Sequence, residues 1–401
     1  VKLHYDAETE AFRAELRQWI DANQPSMEEM RAEPQTSSAH LTGWARRWQR
    51  RLFDAGLLVP GWPPGLGGRS LGPVPQLVYF EEMAKLPVER TANPQGLSII
   101  APSLRDHASD FLQSEYLLPT LRAEISWCLG MSEPGAGSDF GALSTRAEVH
   151  ADRFVVDGQK IWTSGAHHSD YCFCFVRTDP DAPKHKGISV LVIDMKTPGI
   201  TVRPLPEMND RGHVDFNEVF FDGVVVPRDH LVGELNQGWA ISTGSLAHER
   251  GMMWLSNAAR LDRQIEAIRE LAKEAGPDGR RIGESEAFRD ELARIYVDAQ
   301  ALWFMGYRGF AKFARGETSP EHSVLKLFST ELAQRAARLA TEALGVEALD
   351  VEYESCGYDE SFGRVPWMTQ YFQTFRGTIA AGTSEIQRNI VAQRVLGLPR
   401  G

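Results

Sequence analysis

Positions 127–139, W-C-L-G-M-S-E-P-G-A-G-S-D, are the first to invite a chemical reading. Gly135 and Gly137 carry no side chain, so the backbone N–H groups around them can approach a ligand closely, and Ser132 and Ser138 place hydroxyl donors beside them. Such a loop suits a polar heterocycle or a phosphate. On spacing alone, a tight Gly/Ser turn with no ligand explains the string equally well.

A ligand loop needs rigid elements around it. From residue 9 to about 125 the apolar spacing is helical, with Phe12, Leu16, Trp19 and Ile20 on one stripe and Trp44, Trp48 and Leu52 on another. A Pro/Gly-rich passage at 59–73 between these helices has the composition of an ordered loop. From residue 127 the texture changes. Residues 127–139 are expected to be a loop, and short β-rich runs follow at 145–149, 153–156, 171–177, 187–193 and 199–204, separated by Asp-Gly, Pro and Gly signals. Short, regularly spaced strands predict a compact barrel or sandwich. After Gly238 the helical period returns, broken at 276–279 and 345–364, and the alanine-rich run 324–344 suits close helix packing. The chain is thus expected to be α+β, with a helical domain over 1–125, a β domain over 126–233 and a helical bundle over 234–401.

Composition narrows the function classes. The 401 residues are 42% hydrophobic, enough for two or three packed cores. A formal net charge of −11 argues against a general nucleic-acid binder, since affinity for phosphate backbones comes largely from Lys and Arg. Cys128, Cys172, Cys174 and Cys356 have no metal-ligand spacing and are too few for a disulfide framework, which predicts a reducing, cytoplasmic setting. The first 20 residues alternate charged and apolar types, unlike a signal peptide, and no stretch approaches the ~20 apolar residues of a membrane span.

The string M-S-E-P-G-A-G-S-D at 131–139, followed by G-Q-K-I-W-T-S-G at 158–165, resembles the paired flavin loops of the acyl-CoA dehydrogenase family. Two further strings agree in order and spacing: F-N-E-V-F-F-D-G-V-V-V-P at 216–227 with G-E-L-N-Q-G-W ending at Trp239, and A-G-T-S-E-I-Q-R-N-I-V-A-Q-R-V-L-G at 381–397. The likeness covers nearly the whole chain. It implies FAD as cofactor and an N-terminal helical domain, a central β-barrel or sandwich and a C-terminal four-helix bundle. Met131 and Ser132 would meet the isoalloxazine edge and Ser138 both flavin and pantetheine. Trp162 would stack near the flavin with Ser164 close to N5, Gly137 and Thr163 would complete the two loops, and Thr383 and Glu385 would contact the cofactor from the closing motif.

The family's reaction removes the proton α to a thioester carbonyl while hydride leaves the β-carbon for flavin N5. Many members carry the base, a glutamate, just before the Gly-Thr-Ser of the closing motif, where this chain has Ala381. Others take it from a Glu-Arg pair in the first C-terminal helix, and Glu249-Arg250 stand at that place. The resemblance therefore implies Glu249 as the base, and Arg250 beside it would support the substrate site by pairing with a carboxylate or fixing local backbone. Desolvation between flavin and acyl chain would raise a glutamate toward the useful pKa range. The Ala381 N–H, with a ribityl hydroxyl of FAD, would still polarise the thioester carbonyl, because a backbone donor needs no side chain.

Two strings that in relatives reach a neighbouring subunit's FAD are altered here, to G-R-R-I-G at 279–283 and L-G-V-E-A-L-D at 344–350. The expected partners are accordingly an acyl-CoA thioester, an electron-transfer flavoprotein as acceptor, and either a homotetramer or a heterotetramer with a related subunit. The alternative readings are a flavin monooxygenase or nitroalkane-oxidising relative on the same fold, and a partner subunit that completes a heteromeric dehydrogenase.

Overall fold

The computed structural model describes residues 5–207, 214–248, 253–317, 321–350 and 365–399. Helix α1 (Ala7–Asn23) starts where the Asp6 carboxylate accepts the Thr9 N–H at 2.8 Å. A capping box of Ser26 and Glu29 opens α2 (Met27–Ala32). Helix α3 (Gly43–Asp54) buries Trp44, Trp48 and Leu52, the predicted stripe. After α4 (Pro73–Met83), a widened turn at Gly96–Ile100 leads into α5 (Ala101–His107), and the short α6 (Asp110–Leu112) and α7 (Leu118–Leu121) complete the first helical region. The buried Glu82 carboxylate fastens α1 to α4 by drawing in Arg13 at 3.2 Å, Arg17 at 2.9 Å and Lys85 at 2.9 Å.

The β region is one eight-stranded sheet in the order β6-β7-β3-β2-β4-β5-β8, with β1 alongside β4. The strands are β1 (Trp127–Gly130), β2 (Arg146–Val149), β3 (Arg153–Lys160), β4 (Tyr171–Arg177), β5 (Ile188–Asp194), β6 (Ile200–Pro204), β7 (Asn217–Pro227) and β8 (Leu231–Val232). This corrects one expectation: residues 127–130 are a strand, not loop. Four residues between an ordered helix and a glycine-rich segment give no period, but Trp127 and Cys128 are wholly buried and pair with Tyr171 and Cys172 on β4. β3 also runs four residues past the predicted run, through a register shift between Val156 and Gly158.

Strands β4 and β5 are apolar at nearly every position because both of their faces are covered. Phe173, Phe175, Val190 and Val192 join the core of the N-terminal helices. Their alternates Cys172, Cys174, Leu191 and Ile193 pack with Phe154, Val156, Val219 and Val224 on the other side.

The C-terminal region contains α8 (Gly238–His248), α9 (Met253–Leu271), α10 (Glu286–Phe313), α11 (Glu321–Leu344), α12 (Trp367–Ile379) and α13 (Ser384–Ile390). Helix α11 packs against α9, α10, α12 and α13, and α9 against α10, giving a bundle centred on residues such as Leu255, Ile295, Leu302 and Leu332. Helix α8 instead lies on α5, β5 and the Gly96–Ile100 turn. The two helical regions meet where Glu81 Oε1 accepts the hydroxyls of Tyr5 and Tyr307, both at 2.9 Å. Among the described residues, no helix is long and apolar enough to cross a membrane.

Candidate active site

The first candidate loop leaves β1 and the second leaves β3, and the sheet brings them side by side. The Ile161 N–H donates to the Ser132 carbonyl at 2.9 Å. Beneath this contact, Lys160 and Glu133 form a buried ion pair at 2.8 Å, with side chains 0% and 4% exposed. Glu133 also accepts the Ser144 and Thr145 N–H groups at 2.6 and 2.8 Å and the Ser144 hydroxyl at 2.8 Å, while Lys160 donates to the Met131 carbonyl at 3.3 Å. Burial by itself would raise the Glu133 pKa, but the adjacent Lys160 ammonium and these hydrogen bonds outweigh it and hold the carboxyl down at about 2. Both residues stand inside the two motif strings, where spacing assigns them no role. A buried lysine at the end of a strand leaves no signature in one chain.

The second loop is pinned from its far side. The Thr163 N–H donates to the Asn217 carbonyl at 3.0 Å, and Asn217 Nδ2 returns a bond to the Thr163 carbonyl at 3.0 Å. The Gly165 N–H reaches the Asp215 carbonyl at 2.8 Å, and the Asp215 carboxylate accepts both the N–H and the hydroxyl of Ser38 at 2.8 Å. Gly165 has φ +69° and sits against Ala39, so that a Cβ there would meet the Ala39 Cβ at 2.5 Å. The N-terminal region thus clamps this loop. Ser37 and His168 add a contact of 2.9 Å beside stacked His40 and adjacent His167, and burial together with these two imidazoles lowers the His168 pKa to about 4.

Within this frame the expected ligand residues face outward. Trp162 holds φ +59°, a strained conformation for a non-glycine residue, and its indole is 58% exposed with Phe216 edge-on at 5.7 Å. Gly137 and Ser138 are exposed, Met131, Ser132 and Ser164 half-buried. A Cβ at Gly135 or Gly137 would meet nothing within 4 Å, so that backbone is approachable. Thr163 is buried, its main chain is engaged as above, and its hydroxyl has no partner among the described residues. Two positions after Ser138, Phe140 stacks on Trp239 at 5.8 Å, and His185 meets Trp239 tilted at 4.0 Å, next to the Lys184–Asp139 pair at 2.5 Å.

The closing motif is a tight turn between α12 and α13. Ala381 has φ +54° and Gly382 φ +90°; Thr383 caps α13 by accepting the Ile386 N–H at 3.2 Å, and Glu385 is exposed. No hydrogen bond or ion pair among the described residues joins this turn to the two loops. Glu249 and Arg250 follow α8 in sequence and lie outside the described residues.

The chain matches the acyl-CoA dehydrogenase N-terminal domain over residues 6–124, the middle domain over 128–224 and the C-terminal domain over 236–396. It belongs to the acyl-CoA dehydrogenase family. It is 32% identical to the acyl-CoA dehydrogenase IpdE1 of Mycolicibacterium smegmatis over 406 residues, which cover 98% of each chain. Among solved structures it resembles the ChsE4-ChsE5 complex from Mycobacterium tuberculosis, with 30% identity, TM-score 0.80 and full coverage of both chains. It resembles the Tcur3481-Tcur3483 steroid ACAD equally well in shape, with 29% identity, TM-score 0.80 and full coverage of both. As an acyl-CoA dehydrogenase the protein is an oxidoreductase whose cofactor is FAD. The paired loops fit that group: an outward indole for a ring system, approachable glycine backbone, and hydroxyls at Ser132, Ser138 and Ser164 for its polar edge.

If Trp162 and Ser132 meet the ring system, Trp162→Ala and Ser132→Ala are expected to lower the FAD-to-protein ratio after gel filtration or to shift the flavin absorption bands. Full occupancy with an unaltered spectrum in both variants would remove these assignments.

Proposed function

We propose that this acyl-CoA dehydrogenase introduces an α,β double bond into a CoA thioester with a bulky, polycyclic acyl group, using Glu249 as the base. The observation that carries the reading is the turn at Ala381: the usual carboxylate position holds a methyl side chain, while the backbone there keeps a strained left-handed conformation. The turn then serves as a backbone donor, and the α-proton must go to a carboxylate elsewhere, which Glu249 offers. FAD, when bound, supplies the hydride acceptor.

The residues divide the remaining work. Glu249 takes the α-proton, and Arg250 supports the substrate site by pairing with a carboxylate or fixing the local backbone. The Ala381 N–H donates to the thioester oxygen, stabilising the charge that develops there as the proton leaves. Ser138 contacts the pantetheine arm, and Met131, Ser132, Gly137, Trp162, Thr163, Ser164, Thr383 and Glu385 hold the cofactor. The likeness to the Tcur3481-Tcur3483 steroid ACAD supports a bulky acyl group.

The test is anaerobic mixing of the purified holoenzyme with a panel of acyl-CoAs. Stoichiometric bleaching of the flavin is expected, faster with a steroid-derived thioester than with a straight-chain one. Absence of bleaching by any thioester, with turnover only in oxygen, would favour a monooxygenase instead.

We also propose a heteromer with a related subunit as the working form. The altered strings at 279–283 and 344–350 support this, as do the paired-chain assemblies among the similar structures. Expressed alone, the chain should retain substoichiometric FAD and recover it with the partner. Full FAD and activity alone would favour a homo-oligomer.

A further inference from the structure

We infer that Lys326 is a positioning residue for this reaction: its ammonium holds the Gly382 carbonyl and so maintains the left-handed turn that aims the Ala381 N–H. The inference rests on the proposed role of that N–H.

Helix α12 closes with the Ala380 N–H on the Arg376 carbonyl at 2.8 Å, and α13 opens at Ser384, so residues 380–383 must reverse the chain by themselves. Gly382 at φ +90° is unstrained by its type, but Ala381 at φ +54° is not, because its Cβ crowds the backbone. An alanine stays in that region only when its surroundings hold it. Two side chains do so. Gln387 Nε2, from the same motif, donates to the Ala381 carbonyl at 3.0 Å. Lys326 Nζ reaches from α11 to the Gly382 carbonyl at 2.6 Å, a charge-assisted bond and the stronger of the two.

The reach is well supported. The Lys326 side chain is half-buried, and α11 grips the motif again five residues later, where Glu331 pairs with Arg388 of α13 at 2.5 Å. The Ala381 N–H belongs to the peptide unit before the strained residue, so the torsion at Ala381 sets its direction relative to the anchored carbonyls. Relaxing Ala381 to an extended or right-handed conformation would swing the donor away from any fixed acceptor.

The experiment uses the holoenzyme and, as probe, the α,β-unsaturated CoA thioester of the acyl group that bleaches the flavin, labelled with ¹³C at the carbonyl. Difference infrared spectroscopy reads the carbonyl stretch, which a hydrogen bond lowers. The wild type is expected to lower it on binding; Lys326→Met should lose most of that shift and slow anaerobic flavin reduction roughly tenfold, a fraction of what losing an oxyanion donor costs, with FAD content and thioester affinity little changed. Lys326→Arg should restore both. A full shift and wild-type rate in Lys326→Met would overturn the inference while leaving the Ala381 reading intact. No shift in the wild type would overturn the Ala381 reading and this inference with it. If Lys326→Met does not yield holoenzyme, Lys326→Gln gives the same readout: it is shorter and uncharged, and a shift equal to the wild type's would overturn the inference.

Discussion

Glu249→Gln is expected to slow flavin reduction by a saturating acyl-CoA under anaerobic conditions by roughly 10²–10⁴-fold, the usual cost of removing a general base. Glutamine keeps the size and polarity of the side chain but cannot accept the α-proton, so FAD content and thioester affinity should persist. A loss confined to the transition state would then lower kcat and kcat/KM together, with KM nearly constant. The same substitution made with Ala381→Glu tests whether a carboxylate returned to the closing motif can serve in its place. Reduction at the wild-type rate by Glu249→Gln would exclude Glu249 as the base and direct attention to another carboxylate.

Breaking the buried pair under the two loops should have the largest effect on stability. Lys160→Met leaves the Glu133 carboxylate without its cation in a site that water does not reach, and losing one partner of such a pair costs about 3–5 kcal/mol. Thermal unfolding of the holoenzyme should shift down accordingly, and FAD release should precede it, because Glu133 ties residue 133 to residues 144, 145 and 160. An unchanged melting temperature with full FAD retention would show that the pair holds nothing.

The same group gives the pH dependence its sign. Glu133 titrates near 2 in the folded chain and near its ordinary value of 4.5 when unfolded, so its stabilisation is complete above about 4.5 and is lost as pH falls toward 2. His168 is also depressed, to about 4 from 6.5, so the unfolded chain binds the extra proton first and stability declines as pH falls from 6.5 to 4. Acidification is therefore expected to loosen the Ser37–His168 contact first and the Glu133–Lys160 pair second. Following tryptophan fluorescence and FAD release between pH 7 and 3 checks this. His168→Phe should remove the upper stage and leave the lower; a single transition unaffected by that variant would contradict the order.

How much of this was legible beforehand depends on the distance over which each feature is decided. Helical stripes such as Trp44, Trp48 and Leu52 are written in local spacing, and so are strands β4 and β5, whose uninterrupted apolar runs report burial on both faces. The order of helical, β and helical regions follows from the same signals, and the motif strings point to the family because each string packs several ligand-facing residue types into a short stretch. Strand β1 was misread because four residues carry no period; its partner lies more than forty positions away on β4.

Tertiary structure alone decided what holds the site. The burial of Lys160 with Glu133, the clamp from Ser38 through Asp215 to Gly165, and the reach of Lys326 to Gly382 are all pairings between distant positions. A polar residue looks the same in sequence whether it meets water or a buried partner, and only packing removes the water. The left-handed backbone at Trp162 and Ala381 was equally hidden, since neither residue type favours it. Local chemistry named the residues that would meet a ligand, and long-range packing decided which others force them into place.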